Sequence, residues 1–163
     1  ASGGAVALSH GRIVTILSAG NDAAKSFTVV GTDVNGDAQT ESITGANAGT
    51  ATGTKYFLTV ASITAVGNPA GNVSAGVNAS AADVIFAARS RLKGIYLTST
   101  ATAGTVDFLN TSPSGTSIMG LSSVGDADAT RDVVIPEEGV VFSNGIYVQY
   151  TVSSFLTMTV FHA

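Results

Sequence analysis

The sequence predicts an all-β protein, with β-sandwich or barrel modules built from short antiparallel strands. Short runs rich in Thr, Val and Ile alternate with turns rich in Gly, Asn, Ser and Pro. Near the C-terminus, segments 146–151 and 155–161 alternate their residues with period two, which is typical of half-buried strands. The chain contains no helical-period stretch long enough to predict a helix.

The clearest single element is a hairpin over residues 27–44. Two runs rich in Thr and β-branched residues flank the dipeptide Asn35-Gly36. Asn-Gly is typical of a type I′ turn, in which both central residues have positive φ. Asp33 and Asp37 flank this turn and are suited to capping its backbone groups.

The first 78 residues are interpreted as an N-terminal arm followed by a first β-module. Residues 1–11 are rich in Gly, Ala and Ser, and they predict either a flexible or docking arm or a partial strand. We expect deletion of residues 1–9 to leave the β-fold intact but to weaken docking. The module occupies 12–78; besides the hairpin, its expected elements are strands at 12–17 and 73–77, one long strand or two strands with a bend at 56–66, and a low-complexity loop at 45–53.

The second β-module is assigned to residues 79–163. Its boundary is placed in the small, polar segment 78–83. The two C-terminal period-two segments are expected to form adjacent strands. The expected strands are 94–98, 105–109, 117–121, 131–135, 140–142, 146–151 and 155–161.

The composition restricts the possible partners. Only 11% of residues are charged although 45% are hydrophobic, whereas a typical soluble domain has about 25% charged residues. A surface with so few charged residues predicts that much of it is buried against other subunits. The net charge is −4 and no long apolar run is present, so neither nucleic-acid binding nor a membrane span is expected. The N-terminus shows no signal-peptide pattern, and the lack of Cys excludes disulfides and thiol chemistry.

Two acidic groups are candidate metal sites. Asp33, Asn35 and Asp37 begin like a calcium loop, but the Gly comes two positions too early and the twelfth position is Thr44 instead of Glu. The second group, at positions 126, 128 and 132, is interpreted as a solvated loop. We therefore expect no metal and no cofactor.

The sequence does not predict an enzyme. His10 and His162 are the only imidazoles, and neither lies in a nucleophile-elbow or metalloprotease motif. A Ser–His–Asp set can be assembled from distant residues, but nothing in the sequence points to one. Glu137-Glu138 follows a Pro in a strong turn signal, and it is interpreted as solvating that turn.

Two segments supply candidate partner contacts. Arg89, Arg91 and Lys93 alternate along a possible strand, so their side chains would share one face. One interpretation is a charged sheet edge that blocks unwanted pairing; the other is a contact with carboxylates of a neighbouring subunit. In the arm, the candidate contacts are Ala5, Val6 and Leu8.

Parts of both modules resemble proteins of phage particles. The first module resembles small structural proteins of tailed bacteriophages, over residues 16–22, 27–36, 40–41, 45–49 and 55–57. The second is similar to another recurring phage virion piece, over residues 92–98, 103–106, 135–142 and 145–148. The resemblance implies a non-enzymatic virion structural protein.

Within a virion, short length and the absence of helical segments favour a capsid decoration (cement) protein. The resemblance then implies a location on the capsid surface, binding to the major capsid protein, and self-association, with a trimer as the candidate state. A tail, adaptor or host-attachment component is the alternative. A stand-alone carbohydrate-binding β-module is the second alternative, although the chain has no Trp and only 7% aromatic residues.

Overall fold

The computed structural model describes residues 5–163, and over this range the protein is all-β with antiparallel strands. The part of the chain that it describes contains no helix long and apolar enough to cross a membrane. Contacts divide the chain into two compact units, Ala1–Asn78 and Ala79–Ala163. The strands are β1 (Val6–Ser18), β2 (Ser26–Thr32), β3 (Ala38–Thr44), β4 (Thr50–Val66), β5 (Val73–Phe86), β6 (Ser90–Ser99), β7 (Gly104–Asn110), β8 (Thr116–Ser123), β9 (Thr130–Val134), β10 (Val140–Phe142), β11 (Ile146–Thr151) and β12 (Phe155–His162).

The first unit is a sheet in the order β3-β2-β4-β1, followed by the first part of β5. The long strand β4 pairs with β1 and with β2, from Leu17↔Thr50 near its start to Ser26↔Val66 at its end. The register with β2 shifts after Val30. The buried apolar cluster of this unit consists of Val14, Ile16, Phe27, Val29, Ile43, Phe57 and Val60.

Side chains join β3 to the first part of β4, although the two strands are not neighbours in the sheet. The Glu41 carboxylate accepts hydrogen bonds from Thr54 N (2.6 Å) and Thr54 Oγ1 (2.9 Å). Gln39 Nε2 donates to Tyr56 O at 2.8 Å, and Lys55 Nζ donates to Thr40 O at 2.8 Å. We call these contacts the β3–β4 seam. They hold the first part of β4 against β3.

The described part of the arm forms the beginning of β1. Val6 pairs with Val60 and Ala7 pairs with Thr59, and the register then shifts before Arg12. Residues 1–4 of the expected arm lie outside the described residues. The expected loop at 45–53 is shorter than the sequence suggested, because β4 begins at Thr50.

The hairpin between β2 and β3 forms as expected, but the prediction of a type I′ turn was wrong. Gly36 has φ of +86°, whereas Asn35 does not have positive φ. Asp33 O accepts from Gly36 N at 3.1 Å, and Asp33 N donates to Asp37 O at 2.9 Å. This pattern is a type I turn followed by a left-handed Gly. Asp33 Oδ1 accepts from Asn35 N (2.8 Å) and Asp37 N (3.0 Å), so the capping role of Asp33 is confirmed.

The boundary segment 78–83 lies within a strand, where the sequence suggested a small polar connection. β5 continues through it from Val73 to Phe86. Ala81 and Ala82 are fully buried and pair with Tyr150 and Gln149 of β11. Their small side chains signalled a loop in the sequence, but they are buried in a paired strand.

The second unit contains two groups of paired strands with one buried core. The last part of β5 pairs with β11, then β7 and β8 follow in order. The other sheet has the order β10-β6-β12, and β9 also pairs with β6. Residues of both sheets pack together, as in a β-sandwich; the buried cluster consists of Leu92, Ile95, Leu97, Val106, Phe108, Phe142, Ile146 and Val148.

The two C-terminal period-two segments are strands, as expected, but they are not neighbours. β11 pairs with β5 and β7, whereas β12 pairs with β6 in the other sheet. The 3-10 turn Val152–Ser154 connects them. Within it Ser154 is buried and its hydroxyl donates to Ala103 O at 3.0 Å. The alternation predicts which face each strand buries, but it does not specify the neighbouring strand.

Candidate docking surface and cavity

The basic cluster lies at the centre of a sheet, so its interpretation as a charged sheet edge was wrong. β6 is paired on one side with β12 and on the other with β10 and β9. Arg91 and Lys93 lie in β6, and Arg89 precedes the strand and is exposed. Since both edges of β6 have partners, there is no open edge for these charges to protect.

Two of the three basic residues bind their own chain. Arg91 Nη1 donates to Glu138 O at 3.2 Å and lies 3.7 Å from Glu138 Oε2. Lys93 Nζ donates to Glu137 O at 2.8 Å. The turn they hold contains two left-handed residues, Glu137 with φ of +55° and Gly139 with φ of +76°. In this structure Arg91 and Lys93 therefore stabilise a turn of their own unit.

The outer face of the β6 sheet has an apolar surface. Gly94 pairs with Phe161 on one side and with Val134 on the other. Tyr96 follows on the same face, and the exposed fractions are 41% for Tyr96, 76% for Val134 and 53% for Phe161. We call Gly94, Tyr96, Val134 and Phe161 the outer patch. A Cβ at Gly94 would lie 3.5 Å from Phe161 Cδ2, so the phenyl ring lies close to the glycine backbone.

Polar groups border the outer patch. Tyr96 pairs with Thr159 of β12 and Asp132 of β9. The combination of exposed aromatic rings with neighbouring hydroxyl and carboxylate groups suits contact with another surface, because aromatic residues are enriched where surfaces associate. Sequence reasoning missed this patch. The sequence signal that could have revealed it is the alternation in β12, which places Phe161 on the face opposite to the inward-facing Val160.

A serine and a histidine meet in the second unit, but they do not form an exposed nucleophile. Ser90 Oγ lies 3.3 Å from His162 Nδ1 and donates to Ala163 O at 3.0 Å. Ser90 is only 4% exposed. The His162 ring packs against Phe86, with the ring centroids 5.1 Å apart. The hydroxyl is buried and already hydrogen-bonded, so this pair joins the last residues of the chain to β6.

The acidic groups noted in the sequence do not gather into a metal site. Among residues 5–163, no group of three or more His, Cys, Asp or Glu side chains is placed to hold a metal ion. Asp33 uses its carboxylate to cap its own turn. Asp128 has φ of +58° in the loop before β9, and its N–H donates to Ser99 O.

The first unit contains a cavity of about 600 Å³. Three of its lining residues, Ile16, Phe27 and Val60, belong to the buried core of the unit. Val6, one of the candidate contacts in the arm, also lines it and is 48% exposed. Ala5 is exposed and Leu8 is half-buried in the same segment. The remaining lining residues are Ser62, Ile63, Ala65, Pro69, Gly71, Asn72, Val73 and Ala75.

One wall of this cavity is held by a buried carboxylate. Asp22 is fully buried, and its Oδ1 accepts from Ala70 N at 2.7 Å. Ala19 N donates to Asn72 O at 2.9 Å. These bonds fix the connection between β4 and β5, of which Pro69, Gly71 and Asn72 line the cavity. The sequence offered no signal for the burial of Asp22.

Comparisons with protein-family models, with curated proteins and with solved structures found no match to this chain.

Proposed function

We propose that this protein is a virion structural protein of a tailed bacteriophage, and that it decorates and stabilises the capsid shell. The resemblance in both modules is the starting point of the proposal. The observation that supports it most directly is the outer patch, where Tyr96, Val134 and Phe161 remain exposed on one sheet face. Large apolar side chains grouped on a surface are typical of protein interaction sites.

The charge content also supports this proposal. With 11% charged residues, the chain has few charged groups to keep its surface solvated. Apolar area removed from water contributes about 25 cal/mol per Å². In a shell, the same small contact is repeated at every symmetry-related position, and a modest patch can therefore stabilise the whole particle. The proposed partners are the major capsid protein and further copies of this chain.

Shell binding tests the proposal directly. Purified protein is added to undecorated head shells of the cognate phage, and occupancy and heat resistance of the shells are measured. We expect saturable binding and a higher disruption temperature. Val134→Ser should reduce occupancy, whereas Val124→Ser should not, since Val124 is an equally exposed valine (80%) outside the outer patch. A protein found at the tail, or one that does not bind shells, would contradict the proposal and favour the tail or adaptor alternative.

Carbohydrate binding is a second candidate, and it is favoured by the same surface for a different reason. Tyr96 and Phe161 lie diagonally across neighbouring strands, with Thr159 and Asp132 beside them. Aromatic faces with adjacent hydrogen-bonding groups can stack on sugar rings. A glycan array distinguishes the two candidates: binding to a defined glycan that is lost in Tyr96→Ala would favour a carbohydrate-binding module over shell decoration.

A further inference from the structure

We propose that the cavity of the first unit binds a fatty-acid-like ligand, with the hydrocarbon chain inside and the anionic head group at Lys25. This site is separate from the outer patch, and it does not depend on shell binding. The proposal rests on the size and lining of the cavity, the construction of its wall and the position of one ammonium group.

The lining favours hydrocarbon over a polar ligand. Nine of the twelve lining residues are apolar, and none is charged. The volume of about 600 Å³ falls within the range of about 300–1,000 Å³ that is usual for small-molecule sites. Ser62 and Asn72 are the polar side chains of the lining, which is too few to orient a sugar or a nucleotide. A flexible aliphatic chain fits this chemistry best.

Small residues line the cavity at positions where larger side chains would occupy part of its volume. Ala65 and Ala75 line it beside the fully buried Ile16 and Phe27. The cavity opens to solvent beside the half-exposed Val6, and most of its lining is apolar. A hydrocarbon chain would restore the dispersion contacts that the lining lacks. The buried Asp22 binds the β4–β5 connection, which forms one wall of the cavity, and so holds that wall in place.

Lys25 supplies a cation beside this wall. Its Nζ lies 3.4 Å from the position that a Cβ would have at Gly67, two residues before the lining residue Pro69. Ser26, next to Lys25, pairs with Val66 at the end of β4. Among residues 5–163, no carboxylate forms an ion pair with Lys25. An ammonium in this position favours a carboxylate head group over a neutral one.

A chain-length series tests the hydrocarbon part. Displacement of the fluorescent probe 1-aminoanthracene from the full-length protein is measured with octanoate, decanoate and dodecanoate, all below their micelle concentrations. Each methylene buried should raise affinity by roughly fourfold until the cavity is filled. Failure of the probe and of all three acids to bind the folded protein would overturn the proposal.

Two variants locate the bound chain. Ala65→Leu places a larger side chain in the cavity and should weaken binding of dodecanoate. Thr64→Leu adds the same side chain one residue earlier, where strand alternation directs it to the opposite face of β4, and binding should be unchanged. If Ala65→Leu fails to show a β-type circular dichroism spectrum, Ala75→Leu takes its place. Wild-type affinity in the folded cavity-filling variant would overturn the proposed position.

The head group is tested with dodecanoate and its methyl ester. The wild type should bind the acid more tightly, and Lys25→Met should bind both equally. Equal binding by the wild type would overturn the assignment of Lys25. If no acid binds, but Ala65→Leu prevents attachment to shells, the cavity receives an apolar side chain of another protein, and the fatty-acid proposal is wrong.

Discussion

At Gly36 the backbone conformation, and not the surrounding space, limits which residue is tolerated. Its φ is +86°, and a Cβ added there would meet no atom within 4 Å. Gly36→Val should therefore lower the free energy of unfolding by about 1–2 kcal/mol, because β-branched residues are strained at positive φ. Urea denaturation of the full-length protein measures the change.

The control at this position is Gly36→Asn, because Asn tolerates the left-handed region better than Val. It should lose clearly less stability than Gly36→Val. Both variants place a side chain in open space, so a difference between them reports the backbone alone. If the Val variant unfolds at the wild-type urea concentration, the left-handed conformation at Gly36 is wrong.

At the scale of elements, the β3–β4 seam gives a prediction for the first unit. Glu41 is buried, and its carboxylate accepts from both the N–H and the hydroxyl of Thr54. Glu41→Ala should lower the free energy of unfolding by about 1–3 kcal/mol, because it removes hydrogen bonds to a charged acceptor. Glu41→Gln keeps one oxygen acceptor and should lose less. The measurement is again urea denaturation.

The matched control for the seam is Glu138→Ala. The Glu138 side chain is 82% exposed, and its one ion pair is long, at 3.7 Å. An exposed substitution of this kind usually changes stability by less than about 0.5 kcal/mol. Equal effects of Glu41→Ala and Glu138→Ala would show that the seam does not stabilise the unit.

The positions of the strands were more predictable from the sequence than the strands with which they pair. Residues 146–151 and 155–161 alternate with period two, and both form strands with nearly the expected bounds. Their assignment to different sheets depends on the 3-10 turn between them and on distant strands β5, β6 and β7. Such pairing is set by tertiary packing, which a local pattern does not contain.

The candidate sites were less predictable than the elements for the same reason. The sequence predicts that Arg91 and Lys93 share a face, but their bonds to residues 137 and 138 join segments that are far apart in sequence. The outer patch combines β6, β9 and β12. The cavity depends on small residues such as Ala65 and Ala75, which are common throughout this sequence and do not single out a site.

At the scale of the whole molecule, the N-terminal segment has a different expected role once its strand is known. Val6 pairs with Val60, Ala7 pairs with Thr59, and Val6 lines the cavity. Deleting residues 1–9 should therefore lower the melting temperature and weaken dodecanoate binding. Deleting residues 1–5 leaves β1 intact and should change neither property. Calorimetry and probe displacement on the two truncated proteins distinguish an attached strand from a dispensable arm.

Attachment of the whole molecule to a shell should depend little on salt. Of its seven Lys and Arg residues, Arg12, Lys55, Arg91 and Lys93 already donate hydrogen bonds to carbonyl groups of their own chain, and the proposed contact surface is mainly apolar. Charge–charge attraction between exposed groups is largely screened beyond about 10 Å at 0.1 M salt, whereas apolar burial is not. Shell occupancy should therefore stay nearly constant when the NaCl concentration is raised from about 0.05 M to about 0.5 M. Strongly reduced occupancy at the higher concentration would show that exposed charges such as Arg89 dominate the contact, and the outer patch would then not be the docking surface.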